Sequence, residues 1–317
     1  MAEIGKDIAK AKALLEQGKL VAIPTETVYG LAANALDVAA VTKIFKVKDR
    51  PYFDPMIVHV ADVSSAKNYA ENIPNKAAEL IRQFWPGPLT LLLLKKNIVP
   101  DIVTAGLDRV GIRCPNHSLT LELLKSLSFP LAAPSANPFN YVSPTKPEHV
   151  NEQLGSKIDY ILDGGECSVG VESTIVGFEN GDSIIYRVGG LSVEKIETVI
   201  GNVIVRTHSV SNPQAPGQLQ NHYAPRKILK LGVIEELISE NNLKTIGVLS
   251  FQKKIESPFI KNQIVLSPSG NLEEAAQKLF SALRELDKAD IDLIVAEEVP
   301  DIDLGRAIND RLRRAAS

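Results

Sequence analysis

The chain has 317 residues, 44% hydrophobic and 23% charged, ordinary for a globular protein and long enough for two domains with a buried core. Its formal charge is −3, with 21 Lys and Arg against 23 Asp and Glu up to Arg206 and 14 against 15 beyond it. Neither half is a basic nucleic-acid domain, so any tRNA or DNA contact is weak or confined to a local patch.

Taken in chain order, the spacing of Ile4, Ile8, Ala11, Leu14 and Leu15 predicts a helix stopped at Gly18, with no apolar core of signal-peptide length in it. A short buried strand follows over 20–23, ended by Pro24. Asp37 caps a helix running to about Lys48. A strand over 56–60 and helices over 62–71 and 75–85 come next. Strands are expected at 89–94, 110–113 and 131–133, with a helix over 117–128. The run 89–94 is the longest apolar one, far short of the roughly 20 residues that span a bilayer. Asn180-Gly181 predicts a hairpin between strands 173–178 and 183–188, because a type I′ turn needs positive φ at both positions. The mixture of crossovers and a hairpin gives an α/β domain, a mixed sheet with helices on its faces, over 1–207.

From His208 the composition turns to Ser, Asn, Pro, Gln and Gly, and 208–226 reads as a linker. The remainder alternates: strand 227–231, helix 233–241, strands 245–251 and 263–266, helix 272–288, strand 291–296, helix 303–315. Asn271 with Glu274 makes a capping-box-like start for the long helix. This predicts a small C-terminal Rossmann-like parallel-sheet domain over 227–317. It has no G-x-G-x-x-G and implies no dinucleotide.

No Walker A sequence, H-E-x-x-H, G-x-S-x-G or paired C-x-x-C occurs, and the lone Cys114 and Cys167 argue against structural zinc and for a reducing compartment. The default location is the cytoplasm, with no membrane contact. Five polar clusters follow predicted strands, where ligands sit in open α/β sheets. Thr25, Glu26, Thr27 and Tyr29 suit a small polar ligand or an ordinary hydroxyl-closed turn. Lys48 and Arg50 suit a phosphate or carboxylate, or a solvated helix end; His59 faces away from Val58 and Val60. Arg113 ends a strand and can pair with a carboxylate or with solvent. Ser135, Asn137, Ser143 and Thr145 suit phosphate or ribose, or a Pro-rich loop; Glu172-Ser173-Thr174 and Arg187 adjoin glycines that permit close backbone approach. Together they describe an anion-binding pocket for a nucleotide and a small carboxylate.

Pro24-Thr-Glu-Thr-Val-Tyr-Gly-Leu31, Lys48-x-Arg50-Pro51, Pro55-Met-Ile-Val-His59-Val60, Ser135-Ala-Asn137, Ser143-Pro-Thr145 and Ser173-Thr174 stand in an order that resembles the YrdC-type domain of threonylcarbamoyl-AMP synthases. Ala215-Pro-Gly217-Gln-Leu-Gln-Asn-His222-Tyr-Ala-Pro225 resembles the linker of the two-domain branch, so the likeness covers nearly the whole chain. It implies a nucleotidyltransferase that makes threonylcarbamoyl-AMP and pyrophosphate from L-threonine, bicarbonate and ATP, with Mg²⁺. The product would pass to a threonylcarbamoyl transferase complex for the t6A modification of tRNA. By resemblance Thr27, His59, Arg113, Ala133 and Ser173 hold threonine. Lys48, Arg50, Asp54, Arg109, Ser135, Asn137, Ser143, Arg187 and Tyr223 hold ATP, Lys48 and Arg50 being also catalytic. The linker, with Tyr223, folds over the nucleotide; the metal ligands are not identified.

Three positions depart from the pattern, and so does the linker run Gln218 to Asn221, which lacks the basic residues that some linkers carry. Asp54 replaces an expected Asn, Arg109 a small hydroxyl residue, and Asn140 a Gly whose left-handed backbone Asn tolerates. An RNA-binding module and a carbamoyl-transfer domain of the hydrogenase-maturation kind are the competing readings. The near-neutral charge weighs against the first. Against the second, no zinc-finger or acylphosphatase-like part is expected.

Overall fold

The structure is a computed structural model and describes residues 1–207, 215–218 and 223–316. A strand, β1 (Glu3–Gly5), comes before α1 (Ile8–Glu16), so the first helix begins later than the apolar spacing from Ile4 suggests. Ile4 pairs across the sheet with Ile161, while Asp7 caps the helix by accepting from Lys10 N. Gly18, at φ 67, turns the chain out of it.

There follow β2 (Val21–Ile23), β3 (Gly30–Asn34), α2 (Val38–Lys48), β4 (Ile57–His59), α3 (Val63–Ala66), α4 (Asn75–Phe84), β5 (Leu89–Leu94) and α5 (Asp101–Thr104). Next are β6 (Arg109–Arg113), α6 (Ser118–Ser126), β7 (Leu131–Ala132), α7 (Pro147–Leu154) and β8 (Tyr160–Leu162). The hairpin β9 (Thr174–Glu179) and β10 (Asp182–Arg187), then α8 (Val193–Ile200) and β11 (Ile204–Val205), complete this part. Asn180 and Gly181 sit at φ 51 and φ 90, as the hairpin turn requires. The helix expected over 62–71 shrinks to α3: Asp62 caps a single turn, and Ala70 is then drawn into a bridge with Lys95.

Among the described residues these strands form one sheet in the order β1-β8-β2-β3-β7-β4-β6-β5-β9-β10-β11, with parallel and antiparallel neighbours mixed. β3 escapes a pattern reading because Gly-Leu-Ala-Ala-Asn is made of small residues buried on both faces.

The C-terminal part runs β12 (Ile228–Leu231), α9 (Ile234–Glu240), β13 (Ile246–Ser250), β14 (Ile260–Val265), α10 (Leu272–Lys288), β15 (Leu293–Ala296) and α11 (Gly305–Ala315). Its four strands are all parallel, in the order β12-β15-β13-β14. Asn271 caps α10 through Glu273 N and Glu274 N, but the Glu274 carboxylate goes to Ser267 and Lys278, so the reciprocal half of the capping box is not made.

The helices α10 and α11 lie against the first part. Arg284 donates to Ser143 O at 3.2 Å and to Gln153 Oε1 at 2.9 Å, and Thr145 meets Ser281 at 2.9 Å. Gly170 is needed here: a Cβ on it would lie 2.4 Å from Gln277 Cα. One apolar core runs from Leu31, Val58 and Ile112 to Phe280 and Leu283, so the two parts share their packing. No helix of the described residues is long and apolar enough to cross a membrane.

Candidate active site

The parallel pair β4 and β6 ends with His59 directly beside Arg113. β10 delivers Arg187 at its end, and β9 begins just after Ser173. Between β2 and β3 the chain closes a hydroxyl turn. Thr25 Oγ1 accepts from Thr27 N at 3.1 Å and Val28 N at 3.2 Å, and lies 2.8 Å from Thr27 Oγ1. The turn is therefore part of the cleft wall, for Thr25 and Thr27 both line it. Gly30 keeps that wall close, since a Cβ there would stand 3.1 Å from Ala133 Cβ.

These elements line a cleft open to solvent on one side, with about 60 Å³ of interior space. It brings together Thr27, His59, Arg113 and Ala133, predicted for threonine, with Arg50, Ser135, Arg187 and Tyr223, predicted for ATP. Lys48, Asp54, Asn137, Ser143 and Ser173 are buried directly behind the lining. Lys48 Nζ donates to the carbonyls of Ser135 and Asn137, fixing the loop after β7. Asn137 Nδ2 donates to Tyr141 O at 2.8 Å. Ser173 Oγ accepts from Arg187 Nη2 at 3.0 Å, holding that guanidinium.

Arg109 is not brought in. It stands four residues before Arg113 on β6, about 13 Å along an extended strand, and its guanidinium faces Glu179 at 3.4 Å. Asn140 takes φ 64, the left-handed conformation its position requires. The linker residues Pro216, Gly217 and Tyr223 line the cleft, whereas 208–214 and 219–222, including His222, lie outside the described residues.

Burial dominates the electrostatics. It drives the Lys48 ammonium well below its ordinary range, with Arg50 adding to the effect, and lowers Arg50 and Arg187 as well. His59 is lowered to about 3 by burial and by Arg113, so its imidazole is neutral at neutral pH. The sign of the linkage follows. The unfolded chain protonates His59 near 6.5 and the folded chain does not, so this stability is full above 6.5 and is lost as pH falls toward 3. The free energy of urea unfolding is expected to fall by up to about 1.4 kcal/mol per pH unit from this residue below that point. His59→Gln should flatten the slope; an unchanged slope in that variant would remove His59 as its source.

Sequence reasoning left two carboxylates without a role and missed an arginine. Glu26 Oε2 lies 2.8 Å from Arg113 Nη2, both side chains buried. Glu172 lines the cleft and pairs with Arg311 of α11 at 2.8 Å. Only the nearness of Glu26 and Glu172 to the motifs hinted at them; nothing in the sequence flags Arg311.

Asp54 pairs with Arg50 at 2.9 Å. Burial raises its carboxyl, against the pull of Arg50, Lys48 and Arg187. Its carboxylate thus faces the cation that the resemblance assigns to ATP. Asp54→Asn should lower the KM for ATP about threefold to tenfold, ~0.6–1.4 kcal/mol; a higher KM would show that the carboxylate itself assists ATP.

Among the described residues no three His, Cys, Asp or Glu converge on one point, and Glu172 in the cleft is engaged by Ser143 and Arg311. The thiols of Cys114 and Cys167 are free and buried, and burial pushes Cys114 up to about 12, away from reactivity.

The family model described as telomere recombination (Sua5, YciO and YrdC) matches residues 13–189, and that of the threonylcarbamoyl-AMP synthase C-terminal domain matches 191–317. The threonylcarbamoyl-AMP synthase of Pyrococcus abyssi is 42% identical, over 96% of this chain and 93% of its own. The chain belongs to the threonylcarbamoyl-AMP synthase family. The synthase of Bacillus subtilis is 41% identical, over 98% of this chain and 92% of its own. The crystal structure of Pyrococcus abyssi Sua5 complexed with L-threonine superposes with a TM-score of 0.92 at 39% identity, covering 100% of this chain and 97% of that one. The two-part architecture, mixed sheet plus small parallel sheet, is that of the two-domain threonylcarbamoyl-AMP synthases.

Proposed function

We propose that this protein joins L-threonine, bicarbonate and ATP into threonylcarbamoyl-AMP, releasing pyrophosphate. The observation that carries the reading is the convergence of His59 and Arg113 with Arg50 and Arg187 on one cleft. A planar guanidinium at a strand end suits an amino-acid carboxylate, and Arg113 is the one beside the threonine-type wall of Thr27. The neutral His59 can contact the amino acid without repelling its ammonium group. Arg50, Arg187 and the backbone held by Lys48 would take the triphosphate, whose arrival relieves the burial penalty on these cations. Tyr223 and the linker would close over the nucleotide.

In the first step the threonine amine attacks the bicarbonate carbon and water leaves, giving a carbamate. A carbamate oxygen then attacks the α-phosphorus and pyrophosphate departs. Both steps ask for alignment and charge neutralisation rather than a covalent enzyme intermediate, and the cleft supplies cations without a nucleophile-base pair. Mg²⁺ entering with ATP would add to the charge neutralisation that Arg50 and Arg187 give the phosphates. The product would feed a separate transferase acting on tRNA. Incubation with ¹³C-bicarbonate should yield labelled threonylcarbamoyl-AMP by mass spectrometry; ATP consumption without that label in the nucleotide product would refute the reading.

A further inference from the structure

The largest fully buried side chains include two arginines, Arg284 and Arg311, both from the C-terminal part. Arg284 is spent on the carbonyls of Val142 and Ser143 and on Gln153. Arg311 reaches the cleft wall. Its Nε donates to Glu172 Oε2 at 2.8 Å and its Nη2 to Val188 O at 3.0 Å. The other carboxylate oxygen of Glu172 accepts from Ser143 Oγ at 2.6 Å. The guanidinium carbon also lies 4.9 Å from the centre of the Tyr223 ring, which stacks on Phe280 of α10. The neighbouring Arg314 continues the contact to the linker, donating to Gly217 O at 2.7 Å.

We infer that Arg311 is a positioning residue of the synthase site, through which the C-terminal part neutralises Glu172 and seats Tyr223, so that the triphosphate end of the cleft is complete only with α11 docked. The inference rests on the ATP roles of Ser143, Arg187 and Tyr223 given above. Its physical basis is charge. Glu172 lines a cleft meant for a polyanion, and burial alone would push its carboxyl up; Arg311 and Arg187 instead hold it below the usual range, ionised. With Arg311 gone, that carboxylate would lose its ion-pair partner, keep only the more distant pull of Arg187 and the Ser143 bond in a poorly solvated cleft, and repel the phosphates. With the arginine present it is a fixed acceptor that orients the Ser143 hydroxyl.

The test is steady-state pyrophosphate release by the full chain as wild type, Arg311→Met, Glu172→Gln and the double variant, with thermal unfolding of each. Arg311→Met should raise the KM for ATP about tenfold or more and that for threonine less than about threefold. Adding Glu172→Gln should undo most of that loss, leaving the double variant within about threefold of Glu172→Gln alone, a coupling that a purely structural arginine would not show. An unchanged KM for ATP in Arg311→Met, or a double variant whose loss is the product of the singles, overturns the assignment. Should Arg311→Met not fold, the neutral but polar Arg311→Gln takes its place under the same criteria. Threonine-dependent turnover that ignores Arg311 sinks this inference alone. No threonine dependence in the wild type sinks the synthase reading and this inference with it.

Discussion

Arg113→Ala is expected to raise the KM for threonine by about 30-fold or more, with a smaller change in the KM for ATP. The magnitude is that of truncating one member of a buried, hydrogen-bonded charge pair, about 2–5 kcal/mol. Arg113 is 4% exposed and stands beside His59 at the strand ends, whose neutral imidazole offers no charge in its place. The alanine variant also orphans Glu26, whose carboxylate lies 2.8 Å from the lost guanidinium. Stability should therefore fall as well, by about 3–5 kcal/mol. Arg113→Lys separates the two effects: it keeps a charge for Glu26 but not the planar fork that matches a carboxylate. It should fold near wild type while binding threonine poorly. Equal losses for threonine and ATP in both variants would take Arg113 out of the threonine role.

Tyr223→Ala should raise the KM for ATP at least about tenfold, ~1.4 kcal/mol. The ring is 1% exposed, lines the cleft and stacks on Phe280 with centroids 5.6 Å apart. It also holds φ 66, a strained backbone that a non-glycine residue keeps only when its surroundings insist. Removing it deletes packing between the linker and the C-terminal part, so a loss of about 3–5 kcal/mol in stability should accompany the kinetic effect. Tyr223→Phe keeps the ring and should retain most ATP use. Wild-type kinetics in the alanine variant would reduce the linker to a tether.

The parts of this protein that could be read from sequence are those where local chemistry decides structure. Asp37, the Asn180-Gly181 turn and the apolar run of β5 each carry their own instruction, and the structure follows them. Short or small-residue elements carry none: β3 is held by its sheet neighbours, and β8 is three residues completing pairs with β1 and β2. At the site, the motif residues nearest the strand ends reach the cleft. Arg109 does not, because one strand separates it from Arg113 by more than a side chain can span. Arg311 could not have been found, since its partner Glu172 is 139 positions away and nothing in α11 distinguishes it from a solvated arginine. Thr25 gives the opposite lesson: the hydroxyl-closed turn that its neighbours predict is itself part of the cleft wall.

The most direct test of the synthase account is pyrophosphate release from ATP with threonine and bicarbonate each omitted in turn. The account predicts that release falls to background in either omission and returns when both are restored. Release that continues at the full rate without threonine, or without bicarbonate, would contradict it.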